Sequence, residues 1–291
     1  LRRKKKSFDH PREDNKMNNP RESTMQADDG TPLFVRDWPL ETPGRGGVVL
    51  MHGLGEHSGR YMHVARFFNE RGWAVRAYDH RGHGRSGGPR GDVPDADAML
   101  RDAKLVIEDF AANFPNPPLL LGHSMGGLIA AHYATRGISP LRGLILSSPA
   151  LRIRLNGGQK ILLKILSAIA PGFGAPNGLN SNYLSHDRAV VDAYNNDPLV
   201  HRKTSPRLLL GMLDAVEYAQ SHAPAMKLKT LLLVAGDDHF VDPAGSEAFF
   251  NHFPPKIGTM HRYPALYHEI FNEIEAKQVF DDMREWVDKL P

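Results

Sequence analysis

Short apolar runs alternate along this chain with stretches in which apolar residues recur every three or four positions, the periods of buried strands and amphipathic helices. Met25 to Trp38 carries Asp29-Gly30 between two short segments and predicts a hairpin. Pro43 to Gly47 reads as a loop and Gly47 to His52 as a strand. Tyr61, Val64, Ala65 and Phe68 predict a helix to Glu70, stopped by Gly72, with a strand from Trp73 to Tyr78. The glycine-rich loop Asp79 to Gly91 leads to a helix over Ala96 to Asn113, broken by Pro115, Pro117 and Pro118. Then come a strand from Leu119, a helix over Leu128 to Thr135 and a strand from Leu141 to Ser147. The rhythm stops near Leu151 and resumes at Leu228 with strand, helix (Pro243 to Phe253), strand (Ile257 to Pro264) and a closing helix (Glu273 to Leu290). This alternation predicts an α/β fold with a mostly parallel central sheet covered by helices on both faces. Residues 25–150 and 226–291 would form the core, residues 151–225 a helical cap above the carboxyl ends of the strands, and residues 1–24 a basic tail.

The strand from Leu119 runs straight into Gly122-His123-Ser124-Met125-Gly126. This is G-x-S-x-G between a strand and a helix, a sharp turn that leaves the serine hydroxyl exposed above the sheet and crowds the positions held by glycine. Ser124 is the candidate nucleophile. A serine needs a histidine to take its proton and a carboxylate to hold that histidine, each just past the end of a later strand. His268 follows strand and turn and precedes the last helix, whereas His261 lies within a strand and His252 within a helix. For the carboxylate, Gly236 to Asp242 offers Asp237, Asp238 and Asp242, the last before Pro243 and so suited to cap a helix. The strand ending at Met51 leads into His52-Gly53-Leu54-Gly55, a glycine-flanked turn able to aim a backbone N–H at a developing oxyanion, with the Met125 N–H as second donor.

Composition narrows the alternatives. With 291 residues, 41% hydrophobic and 24% charged, the chain can bury a large core, and without cysteine it can form no disulfide and no zinc–cysteine site. Asp79-His80-Arg81-Gly82-His83-Gly84 gathers histidine and carboxylate, but no H-E-x-x-H spacing occurs anywhere, so the loop is expected to brace the site and neither a metal nor another cofactor is expected. The net charge of +3 is concentrated in residues 1–16, which carry +4, so the remainder is near neutral and nucleic acid is not an expected partner. Polar residues, not the apolar stretch of a signal peptide, follow the basic ones, and no run approaches the roughly 20 apolar residues of a membrane span. A cytoplasmic location follows as the expectation. The basic tail and the apolar helix Lys160 to Ala170 are candidate peripheral membrane contacts, and Ile161 and Leu162 candidate acyl-chain contacts.

His52 to Tyr61 (HGLGEHSGRY), Asp79 to Gly91, Gly122 to Gly127 (GHSMGG), Asp238 to Pro243 (DHFVDP), Tyr267 to Glu273 (YHEIFNE) and the cap segment Leu184 to Arg202 together resemble the monoacylglycerol lipase and lysophospholipase branch of the α/β-hydrolase fold superfamily. The resemblance spans roughly Gly30 to Leu290. It implies a triad of Ser124, Asp238 and His268, selects Asp238 among the three aspartates, and makes Leu54 and Met125 the oxyanion donors. Glu56 and Arg60 match positions beside the oxyanion turn and are candidates for head-group contact or a structural ion pair. Phe271 departs from the pattern, since the mammalian monoacylglycerol lipase has a second histidine there, so glycerol recognition does not carry over. The implied enzyme is a serine hydrolase of single-chain acyl lipids, monoacylglycerol first. Alternatives are a lysophospholipase, a small-ester carboxylesterase or a peptidase on the same fold. An apolar cap helix argues against the peptidase, and an intact triad against a non-catalytic binding protein.

Overall fold

Strands that are apolar on both faces require a layer of helices on each side, and the side chains of the sheet divide accordingly. A computed structural model describes residues 19–41 and 44–290. Most of the expected tail, through residue 18, and Pro43 of the expected loop lie outside the described residues. The main sheet is formed by β1 (Arg21–Gln26), β2 (Pro32–Trp38), β3 (Gly46–Met51), β4 (Trp73–Tyr78), β5 (Leu119–His123), β6 (Gly143–Ser147), β9 (Thr230–Ala235) and β10 (Gly258–Tyr263). Their spatial order is β1-β2-β4-β3-β5-β6-β9-β10, antiparallel at β1/β2 and β2/β4 and parallel from β4 to β10. The remaining short ribbon pairs β7 (Ala175–Pro176) with β8 (Lys203–Thr204).

Alternate residues feed two cores. Val49, Met51, Leu120, Leu144, Leu146, Leu232 and Val234 pack under α2 (Ala98–Ala111), α3 (Met125–Arg136) and α6 (Pro206–His222), with Phe249 of α7 (Pro243–Asn251). Val48, Leu50, Leu119, Leu121, Ile145, Leu231 and Leu233 face α1 (Met62–Asn69) and α8 (Ala276–Asp288). Arg76 on β4 breaks the apolar rule: it is buried, and its guanidinium is held by Asp37 on β2 and Asp109 on α2.

Between β6 and β9 the chain inserts α4 (Gly157–Ile169), α5 (Arg188–Asn196) and α6. Asn156 starts α4 with a capping box, its Oδ1 accepting the Gln159 N–H while Gln159 Oε1 accepts the Asn156 N–H. The insertion is anchored to the core, because α6 buries Leu208, Met212, Ala215 and Ala219 in the same cluster as Leu128 and Ile129 of α3. It also meets the turn after β3, where the His201 N–H donates to the Gly55 carbonyl at 2.8 Å. The first strand begins at Arg21, so residues 21–24, expected in the tail, are instead paired with β2. Apart from Met25 its residues are polar and exposed, so this edge strand has no apolar alternation for the sequence to reveal.

Candidate active site

Close backbone approach sets the geometry of the Ser124 turn. Ser124 stands at φ 54°, ψ −118°, a conformation that costs a non-glycine residue on the order of 1–3 kcal/mol. A Cβ at Gly122 would lie 2.3 Å from the Gly126 carbonyl oxygen, and one at Gly126 would lie 2.4 Å from that of Met51 and 2.5 Å from that of His52. The missing side chain at Gly126 therefore lets α3 start directly against the end of β3, which sets the His52–Gly55 turn beside Ser124. A Cβ at Gly53 would stand 3.2 Å from the Ser124 Cβ.

Glu56 holds this turn from beneath. Its Oε1 accepts the Gly53 N–H and the Tyr61 hydroxyl, both at 2.6 Å. Its Oε2 accepts from Arg60 at 2.7 Å, and the other end of the guanidinium donates to Glu269 Oε2 at 2.7 Å. Burial pushes the Glu56 carboxyl up, but Arg60 and the donors around it outweigh burial and hold it below its ordinary range. Glu56 and Arg60 form a buried ion pair and are not among the residues lining the cavity described below.

His52 is locked as one tautomer. Its Nε2 accepts the His80 N–H at 2.9 Å, so Nδ1 carries the proton and donates to the Gly53 carbonyl at 2.8 Å. Burial lowers its pKa to about 3. The His80 and His83 rings pack at 4.4 and 5.4 Å from it, and both are pushed down by burial. Asp79 Oδ1 accepts the Ser58 N–H and its Oδ2 the Arg85 N–H, tying the glycine-rich loop to the residues after the oxyanion turn.

The three aspartates after β9 have separate surroundings. Asp237 is half exposed beside His239. Asp242 caps α7 through the Ala244 N–H and receives Arg154 at 2.8 Å and Arg152 at 3.2 Å. Asp238 accepts the Phe240 and Val241 N–H groups on Oδ1 at 2.8 and 3.0 Å, and its Oδ2 lies 2.7 Å from His268 Nδ1. Burial alone would lower the His268 pKa, yet the Asp238 charge and hydrogen bond outweigh it and raise it above the ordinary histidine value. The same pairing overcomes burial at Asp238 and holds its carboxyl low. The His268 ring packs 4.7 Å from that of His123, the residue before Ser124, and 4.9 Å from that of Phe240.

A cavity of about 640 Å³ opens at this point, within the range of small-molecule sites. Leu54, Ser124, Met125 and Asp238 line one end, and Leu162, Leu163, Leu166, Leu209 and Met212 of the insertion contribute apolar wall. Leu162 is therefore at the cavity, whereas Ile161 is not: it is 65% exposed, on the opposite stripe of α4 with Ile165 and Ile169. Helical spacing separates the two faces, and the apolar run gave no sign of which faced inward. Two carboxylates that sequence reasoning did not single out are Glu269 and Glu273. Both lie within the YHEIFNE motif, but only the contacts above and those to the insertion distinguish them from surface acids.

The parallel sheet, the serine turn after β5 and the carboxylate–histidine pair after β9 and β10 define an α/β-hydrolase. The chain matches the family described as "Serine aminopeptidase, S33" over residues 42–275, and it belongs to that family, on its monoacylglycerol lipase-like branch. It is 38% identical over 263 residues to a monoacylglycerol lipase of Mycolicibacterium smegmatis, covering 89% of this chain and 93% of the relative. It is 33% identical to the monoglyceride lipase of Rattus norvegicus, covering 89% and 88%. The crystal structure of the Paleococcus ferrophilus monoacylglycerol lipase superposes with a TM-score of 0.80 at 36% identity, over 87% of this chain and 97% of that one. The protein is a carboxylic ester hydrolase.

The buried histidines set an acid limit to stability. His52 and His123, lowered by burial to about 3 and about 4, remain neutral in the fold at a pH where the unfolded chain, near 6.5, already binds protons. Their contribution is therefore complete above pH 6.5 and lost as the pH falls towards their folded values. His268, raised, acts in the opposite sense, its contribution being complete below about 6.5 and lost at higher pH. The melting temperature, followed by calorimetry, should fall progressively from pH 6.5 to 4; a flat profile across that window would contradict this.

Proposed function

We propose that the protein hydrolyses single-chain acyl lipids, monoacylglycerol first, through Ser124, His268 and Asp238. The observation that carries this reading is the 2.7 Å contact from His268 Nδ1 to Asp238 Oδ2. An ionised carboxylate can only accept, so the Nδ1 proton stays and Nε2 is left as the base. His268 takes the Ser124 proton as Oγ attacks the ester carbonyl, and the N–H groups of Leu54 and Met125 receive the oxyanion. The imidazolium then gives its proton to the departing alcohol, leaving an acyl-enzyme. Water, deprotonated by the same Nε2, attacks the acyl carbon, and Ser124 leaves with the returned proton as the fatty acid forms. Each oxyanion donor of this kind is worth about 3–4 kcal/mol of barrier. The apolar cavity and the relatives named monoacylglycerol lipase support an acyl chain as the ligand.

A lysophospholipid is the second reading, favoured by Arg154, an exposed cation among the residues lining the cavity, and by a Bacillus subtilis relative named phospholipase at 33% identity. Phe271, where histidine would favour glycerol, is buried in the core against Phe280. With matched long acyl chains and Ser124→Ala as the blank, faster hydrolysis of monoacylglycerol than of lysophosphatidylcholine is expected. The reverse order would transfer the assignment to lysophospholipase. Loss of both with short soluble esters still cleaved would end the lipid reading.

Peripheral membrane contact through α4 belongs to the same reading. Ile161, Leu162, Ile165, Ile169 and Phe173 are more than half exposed, and residues 151–186 carry Arg152, Arg154, Lys160 and Lys164 with no carboxylate among them. Exposed apolar area with Lys160 and Lys164 on the same helix suits an anionic lipid layer. Among the described residues no helix is long and apolar enough to cross a membrane. Ile161→Asp should weaken sedimentation with anionic vesicles and leave hydrolysis of a monomeric long-chain ester within about 2-fold, whereas Leu162→Asp should raise KM for that ester. Equal effects of the two substitutions on both assays would contradict the division of α4 into two faces.

A further inference from the structure

The insertion reaches the loops of Asp238 and His268 through a second route, made by residues that do not themselves line the acyl cavity. Residues 183–186 form a strap just before α5, and Leu184 and Ser185 are buried. The Tyr183 ring stacks on His239, the residue after Asp238, at 4.0 Å and 20°. The His186 ring stacks on Tyr267, the residue before His268, at 3.7 Å and 20°. The Leu184 carbonyl accepts the N–H of Glu269, the residue after His268, at 2.9 Å. Three contacts therefore flank Asp238 on one side and His268 on both.

Glu273 joins the strap to the His268 loop. Its side chain has no exposure. Oε1 accepts the Tyr267 N–H at 2.7 Å and lies 2.8 Å from His186 Nδ1, and Oε2 accepts the His186 N–H at 2.9 Å and the Ser185 hydroxyl at 3.0 Å. A buried carboxylate that meets two backbone N–H groups, an imidazole nitrogen and a hydroxyl shared with the Asn272 carbonyl fixes the two segments relative to each other, because any displacement leaves charge or donors unpaired. Nothing else is asked of this carboxylate: it does not line the cavity and makes none of the contacts that hold Asp238 or Glu56.

We propose that Glu273 is a positioning residue for the reaction, holding the His268 loop on the strap Tyr183 to His186, so that the insertion orients the base as well as covering the acyl chain. The inference rests on the triad reading above. An insertion that only covered the substrate would affect long acyl chains and spare short ones, whereas one that orients His268 affects both alike. A misplacement of about 1 Å at a reacting group costs up to roughly 100-fold in rate.

The test compares Glu273→Gln with wild type on p-nitrophenyl acetate and on a monomeric long-chain ester. In either orientation glutamine turns an N–H towards donors that the carboxylate now accepts. For both esters kcat is expected to fall by about 10- to 100-fold and by the same factor, with KM for the acetate within about 2-fold. The rate of Ser124 labelling by a fluorophosphonate should fall in parallel, and calorimetry verifies that the variant is folded at the assay temperature. His186→Asn, on a partly exposed residue, serves if Glu273→Gln does not fold, with about 3- to 10-fold loss expected on both esters. Unchanged kcat on the acetate, with a higher KM for the long ester alone, would overturn the proposal and leave the strap a purely covering element. Activity that survived Ser124→Ala would instead overturn the triad reading, whatever Glu273 does.

Discussion

Two ionisable groups buried side by side, Asp238 and His268, have no water to solvate them and must satisfy each other. The carboxylate that gains His268 also gains two backbone N–H groups of its own loop, so its orientation is set before the imidazole arrives. The imidazole in turn is packed against His123 and Phe240. Burial opposes ionisation at both members, and their mutual attraction prevails at both. The result is an imidazole held in one tautomer, with its pKa above the ordinary value.

Around that pair the fold supplies rigidity chiefly through backbone. The ends of β3 and β5 meet the start of α3 at a distance that excludes a Cβ at Gly122 and Gly126, so the serine turn and the oxyanion turn cannot move independently. Side-chain charge completes the arrangement. Arg60 bridges Glu56, beneath the oxyanion turn, to Glu269, next to His268, and Glu273 performs a comparable task towards the insertion. The site is thus assembled from loops of separate strands, cross-braced by buried carboxylates.

Much of this was legible in the sequence because it rests on periodicity and on glycine. The doubly buried strands, the helix after Ser124 and the punctuation at Gly72 and Pro243 all have local physical causes that a sequence displays. What stayed hidden was decided by partners distant in the chain. The edge strand Arg21–Gln26 is polar and owes its conformation to β2. Ile161 and Leu162 are adjacent, equally apolar and both more than half exposed, and only the packing of α4 brings Leu162 to the cavity wall and leaves Ile161 off it. Glu56 and Arg60 are four residues apart and read equally as substrate contacts or as an ion pair until Glu269, 209 positions later than Arg60, is seen to join them.

The measurement closest to the central claim is the pH dependence of kcat/KM on a soluble short-chain ester, with the Ser124→Ala protein as blank. His268 must be neutral to accept the serine proton, and Asp238 holds its pKa above 6.5, so activity is expected to fall on acidification along a limb whose midpoint lies above 6.5. A limb centred below 6.5, or no acid limb at all, would mean that the Asp238–His268 pair does not govern the reaction.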